Sequence, residues 1–230
     1  MIGMASPVKE RIQSIRGAIA AACEKARRDP AAVRIVAISK GFGPDAIREA
    51  AEAGIKAFGE NYLQESDPKQ AALGDLSIEW HFTGHVQRNK ARRVAERFAL
   101  VHGVDSLRLA EALDAAGKEL GKTIPALIQI KGNPNGYGFS WDEIFPSAGK
   151  LAKLDRLDLR GIMMVAPPAD NPEESRQFFK KGGEVFFRLR DKLPAIKELS
   201  MGMTDDFPVA VEEGATIVRI GRGIFGERIY

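Results

Sequence analysis

Short apolar runs of strand length alternate with helical stretches eight times along these 230 residues. The runs fall at residues 33–39, 55–59, 78–82, 99–104, 124–130, 157–165, 198–200 and 216–221. Strands apolar on both faces and separated by helices belong to a parallel sheet covered by those helices. Eight such units is the count for a (β/α)8 barrel, with an open doubly wound sheet as the competing arrangement. Pro125 fits only at the start of the fifth strand. Helices are expected at 44–54, 60–73, 87–97, 106–120 and 141–154, then from an Asn171 cap, and from Thr204 or Asp205 to Gly214. An extra helix precedes the first strand. Ser6 is its cap, Pro7 opens it, and Val8, Ile12, Ile15, Ile19 and Cys23 recur at helical spacing towards Pro30. Without a linker, repeat or low-complexity segment, residues 1–230 read as one domain.

Composition bounds the function. Lys plus Arg number 34 against 31 Asp plus Glu, a net charge of +3 that is too small to argue for nucleic acid. A single cysteine, Cys23, excludes an intrachain disulfide and a cysteine metal cluster, and is expected to pack as a small apolar residue. Charges from Lys9 onward interrupt any signal-peptide core, and no apolar run approaches the ~18 residues of a membrane span. The expectation is a soluble cytoplasmic protein.

The first strand ends in Ser39-Lys40-Gly41-Phe42-Gly43-Pro44. Alternation places Lys40 on the face of Val36 and Ile38. An ammonium at the mouth of an apolar interior is desolvated, which favours the neutral amine that attacks carbonyls. The competing reading is a lysine past the strand end that snorkels into water. In a barrel the eighth strand closes against the first, so Lys40 neighbours the loops after strands seven and eight, where phosphate is often held. Those loops are Ser200-Met201-Gly202-Met203-Thr204 and Gly221-Arg222-Gly223-Ile224-Phe225-Gly226. Their glycines let backbone N–H groups approach an anion, and Ser200 and Thr204 add hydroxyls. Arg219 shares a strand face with Ile217 and Gly221 and is expected to point into the barrel. A salt bridge to a strand carboxylate such as Glu79 is the structural alternative. A lysine, two phosphate loops and an inward arginine together suggest pyridoxal 5′-phosphate, with the arginine donating to an unprotonated ring nitrogen.

The motifs Ala37-Ile38-Ser39-Lys40, Phe58-Gly59-Glu60-Asn61-Tyr62-Leu63-Gln64-Glu65, Trp80-His81-Phe82-Thr83-Gly84-His85 and Asn89-Lys90 stand in order along the chain. Leu199 to Phe207, Val218-Arg219-Ile220-Gly221 and Ile224-Phe225-Gly226-Glu227-Arg228 follow. In these the sequence resembles the pyridoxal phosphate homeostasis proteins, relatives of the N-terminal barrel of alanine racemase, from about Val8 to Tyr230. The resemblance implies a Schiff base on Lys40, Arg219 on the ring nitrogen, and Ser200 with the Gly221 and Arg222 amides on the phosphate. It also implies that Asn61 lines the ring, although a helix N-cap is the plainer use of that residue. Two positions depart from the family's pattern. Arg222 stands where relatives often carry a threonine or serine, and Tyr137 stands where a lysine is usual.

His81 and His85 flank a strand end without a third metal ligand at recognisable spacing, and read as core or rim histidines. Arg88, Lys90, Arg92, Arg93 and Arg97 spread around a helix without an aromatic platform, and read as a solvated face. Two functions compete. The first is a carrier, monomer or weak dimer, that holds pyridoxal phosphate and passes it to apo-enzymes, with no catalytic residues and no metal. The second is a racemase-type enzyme, for which the opposing tyrosine of a second domain is missing, so that Tyr62 or Tyr137 would have to reach the site. A barrel enzyme using Lys40 on a phosphorylated metabolite is a third class.

Overall fold

The structure is a computed structural model and describes residues 7–133 and 136–227. Eight parallel strands close into a barrel in chain order: β1 (Arg34–Ile38), β2 (Ala57–Glu60), β3 (Glu79–Phe82), β4 (Leu100–Val104), β5 (Ile124–Ile130), β6 (Leu157–Met164), β7 (Glu198–Ser200) and β8 (Ile217–Ile220). The open sheet is thereby excluded. Around it run α1 (Pro7–Lys25), α2 (Pro44–Glu52), α3 (Leu63–Ala72), α4 (Ala91–Arg97), α5 (Leu107–Leu120), α6 (Ile144–Leu151), α7 (Arg176–Leu189), α8 (Phe207–Glu212) and α9 (Arg222–Phe225). Among the described residues, no helix is long and apolar enough to cross a membrane.

The first helix is extra in sequence but not in space. α9 is a single turn and is too short to cover the β8–β1 seam. α1 packs against α2, α8 and α9 and takes the vacant place in the outer ring. Its buried face is Val8, Ile12, Ile15, Ile19, Ala22 and Cys23, so Cys23 does pack as an apolar residue. Arg28 fastens this end by donating to the carbonyls of Val211 and Ala215. The Ser6 cap expected at the other end lies outside the described residues.

Several boundaries shift for local reasons. α8 is capped by Asp206, not by Thr204 or Asp205, and the Asp206 carboxylate accepts the Met203 N–H at 2.6 Å. Ser140 and Glu143 bond each other's backbone N–H groups, a reciprocal box that delays α6 to Ile144. Asn171 caps a 3-10 turn, Pro172–Ser175, before α7 begins.

Alternation along each strand divides the core in two. Phe58, Val101, Ile128, Ile162, Val218 and Ile220 face the helices and join one large apolar layer. Val36, Ala57, Leu100, Leu127, Met163 and Ile217 form a smaller cluster inside the barrel. Each fully buried aliphatic side chain contributes about 1.5–3 kcal/mol. The loops after β2 and β3 meet backbone to backbone at the rim. A Cβ on Gly84 would lie 2.4 Å from the Asn61 carbonyl oxygen, so this crossing requires glycine. Gly84→Ala is expected to lower unfolding free energy by about 2 kcal/mol or more in denaturant titrations, through forced separation of the two loops.

Candidate functional site at the C-terminal rim of the barrel

The pairing of β1 with both β2 and β8 assembles the site. Val36 lies opposite Arg219 and Ala37 opposite Ile220, while Ile38 lies opposite Gly59. Two residues further along these strands, Lys40 and Asn61 stand level at the rim. Lys40 occupies the first turn after β1 and is half-buried. Gly41 follows with φ 78°, a left-handed conformation that suits glycine and turns the chain away from the rim.

Side chains from the end of β2 and from α3 hold the backbone on both sides of Lys40. Ser39 Oγ donates to Glu60 Oε1 at 2.7 Å. Lys69 Nζ reaches Glu60 Oε1 at 2.7 Å and the Ser39 carbonyl at 2.9 Å. Glu65 accepts the Gly41 N–H at 3.0 Å. Glu60 and Ser39 are fully buried. Burial pushes the Glu60 carboxyl up, against the hydrogen bonds from Lys69 and Ser39. These contacts fix the turn that presents Lys40.

Arg219 points into the barrel as expected, but not to Glu79. Its Nη1 donates to Ser200 Oγ at 2.7 Å and its Nη2 to the Met164 carbonyl at 2.8 Å. Among the described residues it makes no ion pair. Burial lowers its pKa to about 10, with Asp206 pulling the other way, so the guanidinium stays charged at neutral pH. Glu79 is engaged elsewhere, by Arg34 at 3.3 Å and by His81 Nε2 at 2.9 Å. From His81 a buried line continues: Nδ1 to His102 Nε2 at 3.0 Å, then His102 Nδ1 to Ser200 Oγ at 3.3 Å. Burial lowers both histidine pKa values, that of His102 well below the ordinary range.

The two glycine loops are tied together, since Thr204 Oγ1 accepts the Gly223 N–H at 3.2 Å. Gly221 lies against Ile38, where a Cβ would be 3.4 Å from the Ile38 carbonyl oxygen. The hydrogen bonds of α9 begin with the Ile224 N–H to the Gly221 carbonyl at 2.9 Å, so the Gly221 and Arg222 amides precede its ladder. The Arg222 guanidinium is exposed and held by Asp205, so only its backbone belongs to the cluster. Asn61 is not a helix cap: Tyr62 takes that position in α3, and Asn61 Oδ1 accepts from Thr83 Oγ1 at 2.8 Å. Asn61 lines a rim cavity of about 600 Å³ with Tyr62, Thr83, Gln129, Tyr137 and Met163. The structure thus brings Lys40, Ser200, Arg219 and Gly221 to neighbouring strands, with Asn61 beside them, and leaves the Arg222 side chain outside.

His81 is a core histidine, with both ring nitrogens engaged. His85 is a rim residue, paired with Asp105 at 2.8 Å and stacked on Tyr137 at 3.9 Å. Of the basic stretch, Arg92 pairs with Glu119, and Arg93 and Arg97 share Asp67. Arg88 and Lys90 lie in the 3-10 turn before α4. Sequence reasoning missed Lys69, Glu60, Glu65 and His102 as parts of the site. The rule that located Arg219 also applies to His102, which alternates with the inward Leu100 in an apolar strand. Lys69 carried no such signal.

The fold and rim place the chain among barrels of the alanine racemase class, and that N-terminal domain family matches residues 13–229. The chain belongs to the pyridoxal phosphate homeostasis protein family. It is 38% identical to the protein of that name from Pseudomonas aeruginosa, over 98% of this chain and 97% of that one. It is 39% identical to the one from Escherichia coli, over 97% of each. The structure of PipY from Synechococcus elongatus, solved with PLP (pyridoxal phosphate) bound, matches with a TM-score of 0.86 and 37% identity, covering 95% of this chain and all of that one. Alanine racemase from Bartonella henselae shares the fold, with a TM-score of 0.71 at 15% identity, covering 94% of this chain and 59% of that one.

Two outcomes follow from the buried charges. Lys69→Met strands the Glu60 carboxylate and is expected to cost about 3 kcal/mol in denaturant titrations. Adding Glu60→Gln should recover part of that loss. His81 and His102 resist protonation in the fold but not in the unfolded chain, so the unfolded chain binds more protons at low pH. Their contribution to stability is therefore complete above about pH 6.5 and declines as pH falls below it. Thermal melts between pH 8 and pH 5 should show that decline.

Proposed function

We propose that this chain is a one-domain cytoplasmic carrier, monomer or weak dimer, that binds pyridoxal 5′-phosphate reversibly and passes it to apo-enzymes. In this reading the Lys40 amine forms a Schiff base with its aldehyde, and no substrate is turned over. The observation that carries the reading is Arg219. A charged guanidinium buried inside the barrel, bonded among the described residues only to a hydroxyl and a carbonyl, has charge and donors to offer a ligand on the strand beside Lys40. That donor set fits a pyridine nitrogen. The PLP-bound relative supports the identity of the ligand.

When bound, the cofactor supplies an aldehyde that captures amines and a ring that draws electrons. Arg219 donates to the ring nitrogen without giving up its own proton, which leaves that ring a weak electron sink. The Gly221 and Arg222 amides hold the phosphate, and Asn61 lines the ring. Ser200, expected on the phosphate, is fully buried between Arg219 and His102 and serves the arginine in this reading. The free, buried Cys23 suits a reducing compartment. The relatives' designation as homeostasis proteins supports a carrier over an enzyme.

One observation keeps a racemase-type reading in play. Tyr62 and Tyr137 both line the Asn61 cavity, where a second acid–base group would be needed. Exchange of the alpha proton of alanine or serine in heavy water would support it.

Protein mixed with pyridoxal phosphate should turn yellow, and borohydride should bleach it and fix the cofactor mass on Lys40. Lys40→Ala should lose both signals. The loaded protein should also restore activity to an apo-aminotransferase. Failure to take up the cofactor, or labelling confined to other lysines, would sink the reading.

A further inference from the structure

The line Arg219–Ser200–His102–His81–Glu79 crosses the barrel from β8 through β7 and β4 to β3, buried from Arg219 to His81 and partly exposed at Glu79, and beyond Ser200 its members have no role described above. Its ends dictate the position of every proton. Arginine has no acceptor, so at one end Ser200 Oγ must accept from Nη1. At the other end Glu79, held below the usual carboxylate range by the His81 hydrogen bond, can only accept. His81 Nε2 therefore carries a hydrogen. A neutral His81 then has a bare Nδ1, which must accept from His102 Nε2–H at 3.0 Å. A neutral His102 likewise has a bare Nδ1, which accepts the Ser200 hydroxyl hydrogen at 3.3 Å. All the hydrogens point towards Glu79, and the Ser200 lone pairs are left for Arg219. Reversing the two tautomers would set a bare His81 Nε2 against the Glu79 carboxylate.

We propose that Ser200, His102 and His81 are positioning residues that hold the Arg219 guanidinium in place and connect it to the Glu79 carboxylate without contact between the two charges. The consequence is chemical. A carboxylate touching Arg219 would neutralise it and compete with a ligand for its donors. A neutral hydroxyl, polarised from a distance by Glu79, anchors the arginine and leaves its charge for the ligand. Arg34 completes the far end by bridging Glu79 at 3.3 Å and Glu198 at 3.0 Å. The use made of Arg219 rests on the reading that it meets the cofactor's ring nitrogen, but the relay itself does not.

The first test uses nitrogen-15 histidine spectra of the full-length protein freed of cofactor. Both His81 and His102 should be Nε2–H tautomers between pH 7 and 8. An Nδ1–H tautomer or an imidazolium at either position overturns the relay. The second test is equilibrium binding of pyridoxal phosphate. Ser200→Ala and His102→Gln should each weaken it about tenfold or more, because Arg219 loses its oriented acceptor. His102→Asn returns an acceptor oxygen near the lost Nδ1 and should recover most of that loss. Unchanged affinity in Ser200→Ala and His102→Gln, both folded by circular dichroism, overturns the proposal. If His102→Gln does not fold, Ser200→Ala decides. If the unaltered protein binds no pyridoxal phosphate, the carrier reading fails, and the tautomers alone decide the relay.

Discussion

The hydrogen-bonded pairing of β8 with β1 is the constraint on which the rest depends. It closes the sheet, and its register sets Val36 against Arg219. That register places an inward arginine below the rim on the strand next to Lys40, and brings Gly221 against Ile38. A shift of one residue would turn Arg219 into the apolar layer under the helices, where nothing could satisfy a guanidinium. Closure also creates a demand, because a one-turn α9 leaves the seam bare. α1 meets that demand, and Arg28 fastens it through the Val211 and Ala215 carbonyls.

The barrel interior is less apolar than eight apolar strands suggest. One small aliphatic cluster shares it with a line of polar groups running from Glu79 to Arg219. Each member of that line is matched donor to acceptor, which is the condition for burying polar groups without a large penalty. The two histidines stay neutral, and charge is confined to the ends. The Lys40 turn follows the same logic on the other side of β1. There one buried carboxylate, Glu60, gathers a lysine and a serine hydroxyl, while Lys69 and Glu65 hold the adjoining backbone, so that the residue presented at the rim rests on a fixed support.

Family membership and fold agree with this geometry, since the same barrel recurs in alanine racemase and in PLP-bound PipY. Arg222 and Tyr137, the two positions expected to depart from the family's pattern, both lie at the rim. The Arg222 side chain turns outward to Asp205 and leaves only backbone at the loop. Tyr137 stacks on His85 over the cavity that Asn61 lines.

Much of this was legible in the chain itself. Strand alternation is local, so the inward face of β8 could be read from Ile217-Val218-Arg219-Ile220 before any partner was known. The eight strand–helix units, the rim position of Lys40 and the glycine loops beside it were legible for the same reason. Cap positions slipped by one or two residues, as at Asp206, because neighbouring polar groups compete for the same amide and packing chooses among them. What the sequence by itself determined is that a lysine, an arginine and two glycine loops come to one end of a barrel. Only the tertiary structure decided which groups hold them. Arg219 finds Ser200 rather than Glu79, and Ser39 finds Glu60 and Lys69, because those partners lie on separate strands and helices. Their meeting depends on barrel register and on how the outer helices pack, neither of which leaves a periodic trace in the chain.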